Sequence, residues 1–283
     1  MAGKPVRFHL YRYQLLPISR HFTPHLFDDD TPKTMDELLA RKNAIFAEAL
    51  RKAEFKSARS EIVVKPLADR DDFFLFRIAA NRSLSRETKE FTTEELDNWP
   101  KILVAIWNDP ATQMVAIQER TAAFQQTKAV AAIIFEAVDD FLRQKQLTVA
   151  YEAIFEKQTF WNIVRRYEDR VREVVFEIIT PNMANISRSL SEDLVTFAKN
   201  SNSIRNKIAI QADPSSALHL SESDETLQGL VDYSSRGGGN ISLRIKNMKK
   251  RINTESDVKE VEIDELELVG DPAVIEQILR TLL

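Results

Sequence analysis

Alternating apolar and polar residues in the first half of the chain predict antiparallel strands. Val6, Phe8 and Leu10 are apolar at every second position, which is typical of a strand with one buried face. Two pairs of apolar runs follow, SEIVVKPLA with DFFLFRIAANRS and KILVAIW with MVAIQER. Polar segments separate the members of each pair at residues 69–71 and 108–112, and the second segment contains Asn, Asp and Pro, which favour turns. The pattern therefore predicts two β-hairpins.

Helices are predicted where apolar residues recur at helical spacing. The sequence TMDE, which begins at Thr34, matches a capping box, and the residues after it predict an amphipathic helix over 36–52. The sequence TTEE, which begins at Thr92, predicts a short helical turn for the same reason. Apolar positions within residues 121–146 predict a long helix that lies across the preceding strands.

The second half of the chain alternates between strand and helix patterns after a polar segment. Its last helix is predicted to begin at Pro272, with Asp271 as the cap. The sequence therefore predicts an α+β fold with an antiparallel, hairpin-rich subdomain over 1–147 and a mixed α/β subdomain over 148–283. Strands are predicted at 149–156, 174–180, 207–211, 240–247 and 261–268, and helices at 160–172, 186–198 and 214–233.

Composition narrows the class of protein. The chain has 283 residues, of which 43% are hydrophobic and 29% are charged, as in an ordinary globular protein. Its net charge of −4 excludes a generally basic coat for nucleic acid, so polyanion binding requires a local patch. The absence of cysteine excludes disulfides and thiolate metal sites. No apolar run approaches the ~18 residues of a membrane span and no signal-peptide core is seen, so we expect a cytoplasmic protein.

One stretch, YSSRGGGNISLRIKNMKKRI over residues 233–252, combines glycines with uncompensated positive charge. It holds three of the six glycines in the chain, and its alternating residues after 239 predict a half-buried strand with a basic outer face. Such a strand beside exposed glycine amides is suited to a phosphate backbone. The alternative is a sheet edge that Lys and Arg protect against strand pairing. The predicted binding residues are Arg236, Arg244, Lys246, Lys249, Lys250 and Arg251, with Gly237, Gly238 and Gly239 allowing close backbone approach.

A second basic group lies on the helix predicted over residues 160–172. Spacing along a helix would pair Arg165 with Asp169 and Glu168 with Arg172. This scheme favours an exposed, salt-bridged helix as the structural explanation. It leaves two arginines without partners, and these complete the predicted nucleic-acid site: Arg166 and Arg170.

Catalytic and metal signals are weak. His21 and His25 have a possible metal spacing, but Pro24 lies between them and breaks the helix that the motif needs. The acids Asp28–Asp30 fit a solvated loop, and those of 260–267 fit the polar face of a strand. Neither GxGxxG nor GxxxxGK[ST] occurs. We therefore predict no catalytic residue, no metal and no cofactor, although a metal-dependent nuclease or toxin using these acids stays open.

The order of these elements resembles the RexA-like phage exclusion proteins. The resemblance covers an N-terminal strand, the DFFLFRIAANRS and KILVAIWNDPATQMVAIQER hairpins, a long helix, and an α/β half containing VFEIITPN. The chain is similar, more remotely, to RdgC nucleoid proteins and to uncharacterised bacterial phage-defence families. The resemblance implies a non-enzymatic, cytoplasmic, mostly dimeric protein that binds duplex DNA with little sequence preference and acts in anti-phage defence.

Two questions about partners stay open at this point. The apolar face of the terminal VIEQILRTLL segment predicts burial either inside the chain or in a homodimer. A protein-interaction or sensor subunit of a defence complex, which binds another defence protein and no nucleic acid, is a further alternative.

Overall fold

The computed structural model describes residues 3–19, 32–180 and 187–281. These residues form six α-helices and thirteen strands, and the strand pairs are antiparallel, so the predicted α+β fold is confirmed. The strands are β1 Pro5–Pro17, β2 Ile62–Arg70, β3 Phe73–Ala80, β4 Leu84–Glu87, β5 Thr93–Leu96, β6 Lys101–Trp107, β7 Met114–Gln118, β8 Leu147–Ala153, β9 Val171–Ile179, β10 Arg205–Gln211, β11 Gly239–Ile245, β12 Ile252–Asn253 and β13 Glu260–Asp264. The helices are α1 Met35–Lys52, α2 Thr127–Gln144, α3 Lys157–Arg166, α4 Glu192–Asn200, α5 Glu225–Tyr233 and α6 Pro272–Arg280.

The long strand β1 is the centre of the larger sheet. The strand order is β13-β1-β7-β6-β3-β2, and β8 also pairs with β1. One edge of β1 pairs with β7. The other edge is divided, because its first residues pair with β13 and its later residues pair with β8. The two predicted hairpins, β2–β3 and β6–β7, are confirmed as neighbours in this sheet.

Helices cover both faces of the larger sheet. On one face, α1 and α2 pack on the side chains of β1, and the rings of Phe46 and Tyr13 stack with centroids 4.7 Å apart. On the other face, Ile275 and Leu279 of α6 are fully buried. The predicted cap of α1 is confirmed, since Thr34 Oγ1 accepts a hydrogen bond from the Glu37 N–H at 3.2 Å.

The smaller sheet has the strand order β10-β9-β11-β12 and its own core. Phe176 and Ile241 lie opposite each other on β9 and β11 and are fully buried, with α3 and α5 contributing Phe160 and Val231 to the same core. Because β8, β13 and α6 pack on the larger sheet, the predicted division at residue 147 does not coincide with the division between the two cores.

Four predicted elements need correction. The residues after Thr92 form β5 of a short hairpin. Helix α3 ends at Arg166, because Asp169 takes φ 59° and the β-branched residues that follow enter β9. The helix predicted over 214–233 is limited to α5, and the strand predicted over 261–268 ends at Asp264, whose side chain caps a 3-10 turn.

Some predicted features fall outside the described residues, namely His21, His25 and Asp28–Asp30. Within the described ranges, every helix is too short or too polar to cross a membrane.

Candidate functional site

Strand β11 carries the alternation that the sequence predicted. Ile241, Leu243 and Ile245 are buried in the core of the smaller sheet, whereas Arg244 is exposed. β12 is only Ile252–Asn253, so the basic residues between the two strands lie in the exposed turn of a hairpin.

This turn is joined to the segment between α3 and β9. The N–H of Lys246 donates a hydrogen bond to the Arg170 carbonyl oxygen at 2.8 Å. In return, Nη2 of Arg170 donates to the Lys246 carbonyl oxygen at 3.2 Å. Basic residues that are distant in sequence therefore lie together at one end of the smaller sheet, where β11 ends and β9 begins. We call this group the basic edge: Arg166, Arg170, Arg244, Lys246, Lys249, Lys250 and Arg251.

The ring of Tyr167 orders two members of the basic edge. The guanidinium carbon of Arg166 lies 5.5 Å from the ring centroid, and that of Arg170 lies 5.7 Å away. Cation–π attraction favours both positions and reduces the side-chain entropy that is lost when an arginine binds a phosphate. Both arginines stay exposed.

Charge on the basic edge is only partly compensated. Segments 166–173 and 244–251 hold eight cations and three acids, in a chain whose net charge is −4. Arg251 pairs with Glu173 at 2.6 Å. In the part of the chain that the structure describes, no ion pair is found for four exposed cations: Arg244, Lys246, Lys249 and Lys250.

The predicted pairing within helix 160–172 is wrong. Arg165 forms its ion pair with Glu222, and Nη1 of Arg172 donates to the Asp213 carbonyl oxygen at 2.9 Å. The reason is that the helix ends before Asp169, so the expected helical spacing does not exist.

Arg236 is separated from the basic edge, because it precedes β11 whereas the basic turn follows that strand. Its Nε lies 3.3 Å from an Asp232 carboxylate oxygen, and Lys157 pairs with the same aspartate. The structure therefore does not bring Arg236 together with the other predicted binding residues.

The three adjacent glycines are buried, and the exposed amides expected there are not found. Gly237 and Gly238 end the segment Ser234–Gly238, whose helical course is broken at Gly237, and Gly239 begins β11. A Cβ atom at Gly237 would lie 2.4 Å from the Arg12 Cβ, and Gly237 has φ +81°. A Cβ at Gly238 would meet the Tyr233 ring, and one at Gly239 would meet the Glu177 carbonyl oxygen. These glycines allow close packing inside the protein, which corrects their predicted role in phosphate approach.

A second cluster escaped the sequence reasoning. His9, Glu119 and Glu260 present one nitrogen and two carboxylate oxygens within 4.8 Å of one another. The three residues are far from one another in the sequence, so no motif marks the group. In addition, the sequence pattern places Glu260 on the polar face of a strand, where an acid is ordinary. Only the register of β1 with its neighbours reveals the cluster.

Comparison of this chain with protein-family models, with curated proteins and with solved structures found no match.

Proposed function

We propose that this protein binds nucleic acid, most strongly duplex DNA, through the phosphate backbone and with little sequence preference. One observation carries the proposal. The hairpin turn after β11 presents exposed cations for which the described chain holds no ion pair. Two hydrogen bonds between Lys246 and Arg170, one from a backbone N–H and one from a guanidinium, join this turn to the segment that carries Arg166 and Arg170. Cations on a fixed surface attract phosphates at little cost in ordering.

The composition of the basic edge favours contact with phosphates over reading of bases. Arg and Lys bind phosphate oxygens regardless of sequence. Helix α3 contributes only its last residue, Arg166, to the basic edge, and the other members lie in β11, in the turn after it and before β9, so the group is not a helix face that could read bases in a major groove. We therefore expect binding that depends on salt and is tolerant of sequence.

A gel-shift series at rising salt tests the proposal with duplex DNA, single-stranded DNA and RNA. Affinity should fall by about 0.9 log unit per log unit of salt for each duplex phosphate contacted. The triple variant K246E/K249E/K250E should lose the shift, because it reverses charge at the centre of the basic edge. The control K56E/K65E/K89E changes the net charge equally at exposed lysines of the first part of the chain and should bind as the wild type does.

Two results would contradict DNA binding through this edge. One is a wild-type protein that shifts none of the three nucleic acids at low salt. The other is a folded K246E/K249E/K250E variant that binds as tightly as the wild type, which would leave the hairpin as a protected sheet edge.

Two other functional classes are distinguished by separate assays. A metal-dependent nuclease or toxin would cleave plasmid or RNA when Mg²⁺ or Mn²⁺ is added. An interaction or sensor subunit would capture a protein partner at high salt without shifting DNA.

A role in anti-phage defence, which the resemblance to RexA-like proteins implies, predicts fewer plaques on cells that express the wild type than on cells that express K246E/K249E/K250E.

The homodimer stays a prediction, although one argument for it is weaker. Ile275 and Leu279 of α6 are buried against the larger sheet of their own chain, so these two side chains need no second copy to cover them, whereas Val274 is exposed. Light scattering at micromolar concentration should report twice the mass of the chain. A monomer mass would remove the homodimer from the proposal.

A further inference from the structure

We propose that His9, Glu119 and Glu260 bind a divalent transition-metal ion of the Zn²⁺ or Mn²⁺ type. The proposal does not depend on nucleic-acid binding, because the cluster lies on the larger sheet and shares no residue with the basic edge.

Strand register places the three side chains on one face of the sheet. His9 of β1 lies directly opposite Glu260 of β13. On the other edge of β1, the N–H of Glu119 donates to the carbonyl oxygen of Arg7 at 2.8 Å, so Glu119 continues the pairing of β7. Side chains that lie directly opposite each other, or two positions apart along one strand, point to the same face of a sheet. Glu119 lies opposite Arg7, which is two positions before His9, so the side chains of Glu119, His9 and Glu260 share one face. The backbone itself therefore holds the three groups together.

The distances suit a small ion. His9 Nε2 lies 3.4 Å from Oε1 of Glu260 and 4.0 Å from Oε2 of Glu119. Two ligand atoms at about 2.1 Å from a tetrahedral ion lie about 3.4 Å apart. A small rotation of the partly exposed Glu119 side chain would close the larger gap.

The imidazole is oriented as a metal ligand. Its Nδ1 lies 2.8 Å from Thr127 Oγ1, which in turn lies 2.8 Å from the Tyr11 hydroxyl. When Nδ1 donates to Thr127, the lone pair of Nε2 points away from that contact, and such a bond to the other ring nitrogen is the usual support of a ligating histidine.

The ligating nitrogen has no other partner. Nε2 is shielded from solvent and makes no hydrogen bond to any residue that the structure describes. A buried polar atom without a hydrogen bond is costly, and a metal–nitrogen bond would remove that cost. The His9 side chain as a whole is 16% exposed.

Neighbouring groups position one carboxylate and leave room for water. Nε of Arg7 lies 3.6 Å from Oε2 of Glu260, which leaves Oε1 of that carboxylate for the ion. A cavity of about 430 Å³ adjoins His9 and Glu119, and Lys128 also lines it. Catalytic metal sites combine three protein ligands with an open position for water, and the cluster has this form.

The ligand set determines the class of ion. One imidazole nitrogen with two carboxylate oxygens suits Zn²⁺, Mn²⁺ or similar ions, whereas Ca²⁺ and Mg²⁺ prefer oxygen ligands alone. The competing explanation is a protonated His9 that forms ion pairs with both glutamates, and it requires no metal.

Calorimetric titration of chelator-treated protein with Zn²⁺, Mn²⁺ and Mg²⁺ tests the proposal. The wild type should bind one equivalent of Zn²⁺ or Mn²⁺ more tightly than Mg²⁺. E119Q and E260Q keep the side-chain shape but remove a charged ligand, and each should weaken binding by about tenfold or more. E262Q is the matched control, because Glu262 lies two positions from Glu260 on β13 and pairs with Arg7.

Circular dichroism of each variant confirms that it is folded before the titrations are compared. Absence of Zn²⁺ and Mn²⁺ binding by the wild type would overturn the proposal and identify the cluster as an ion-paired histidine. Equal affinities of the wild type, E119Q and E260Q would also overturn it, since the ion would then bind elsewhere.

Discussion

Replacement of Gly237 by alanine is expected to lower the free energy of unfolding by about 3 kcal/mol. Two costs add at this position. Gly237 has φ +81°, a left-handed conformation that an L-residue adopts only with strain, and its new Cβ would lie 2.4 Å from the Cβ of Arg12. Arg12 cannot move away freely, because its Nε donates to the Arg236 carbonyl oxygen and its Nη1 to the Thr112 carbonyl oxygen, both at 2.6 Å.

Substitutions at two other glycines measure separately the two contributions, backbone strain at positive φ and steric contact of the new Cβ. Gly270 has φ +124°, but a Cβ added there would meet no other part of the protein within 4 Å, so G270A measures backbone strain alone, about 1–2 kcal/mol. At Gly239 the backbone is extended, and a Cβ would lie 2.5 Å from the Glu177 carbonyl oxygen, so G239A measures the steric contact alone. Urea denaturation followed by circular dichroism gives all three values. Equal losses in G237A and G270A would show that the contact with Arg12 is absorbed without cost.

Replacement of Asn108 by aspartate is expected to destabilise the protein by about 3–5 kcal/mol at neutral pH. Asn108 is 2% exposed, and its amide nitrogen donates to the carbonyl oxygens of Asn43 and Asp71 at 2.7 and 2.8 Å. Its oxygen accepts from the Tyr13 hydroxyl at 2.9 Å. The substitution keeps the shape of the side chain. It replaces the amide N–H group that donates to two carbonyl oxygens with a charged carboxylate oxygen, which can only accept.

The N108D effect should depend on pH in a defined direction. Burial against carbonyl oxygens raises the pKa of the introduced carboxyl above its unfolded value of about 3.9. The folded variant then binds more protons than the unfolded variant in the window between the two pKa values, so its stability relative to the wild type rises as pH falls through that window.

N162D provides the matched control for this substitution. Asn162 is exposed on α3, where its oxygen accepts a hydrogen bond from Arg165 at 2.8 Å. We expect a change within about 0.5 kcal/mol there. Thermal unfolding at neutral and mildly acidic pH measures both variants. A loss in N108D as small as that in N162D would mean that water replaces the lost donor.

Local signals in the sequence predict most of the first half of the fold, with the exception of the short hairpin β4–β5. The turn at residues 108–112 and the cap at Thr34 are determined by neighbours in sequence, and both predictions are confirmed. Prediction fails where helix and strand patterns compete. The run from 160 to 172 reads as one helix, although Val171 already belongs to β9 and contributes to the core of the smaller sheet.

Sequence-based prediction of the candidate sites likewise fails where a contact depends on residues that are distant in the chain. The cations from Arg244 to Arg251 are adjacent in sequence, so their charge is visible there, but their contact with Arg170 depends on the pairing of β11 with β9. The glycines at 237–239 suggest an exposed turn because sequence does not show what surrounds a residue. His9 and Glu260 carry no local signal, since only the pairing of distant strands brings them together.

The divided edge of β1 has a consequence for biosynthesis. Arg7 and Glu262, which bond across the β1–β13 pair, are separated by 255 positions in the chain. While the ribosome is still adding the intervening residues, the first part of β1 can pair with β7 but has no partner on its other edge. An unpaired edge of this kind is open to association with other nascent chains. Completion of the larger sheet must therefore wait until translation has passed β13.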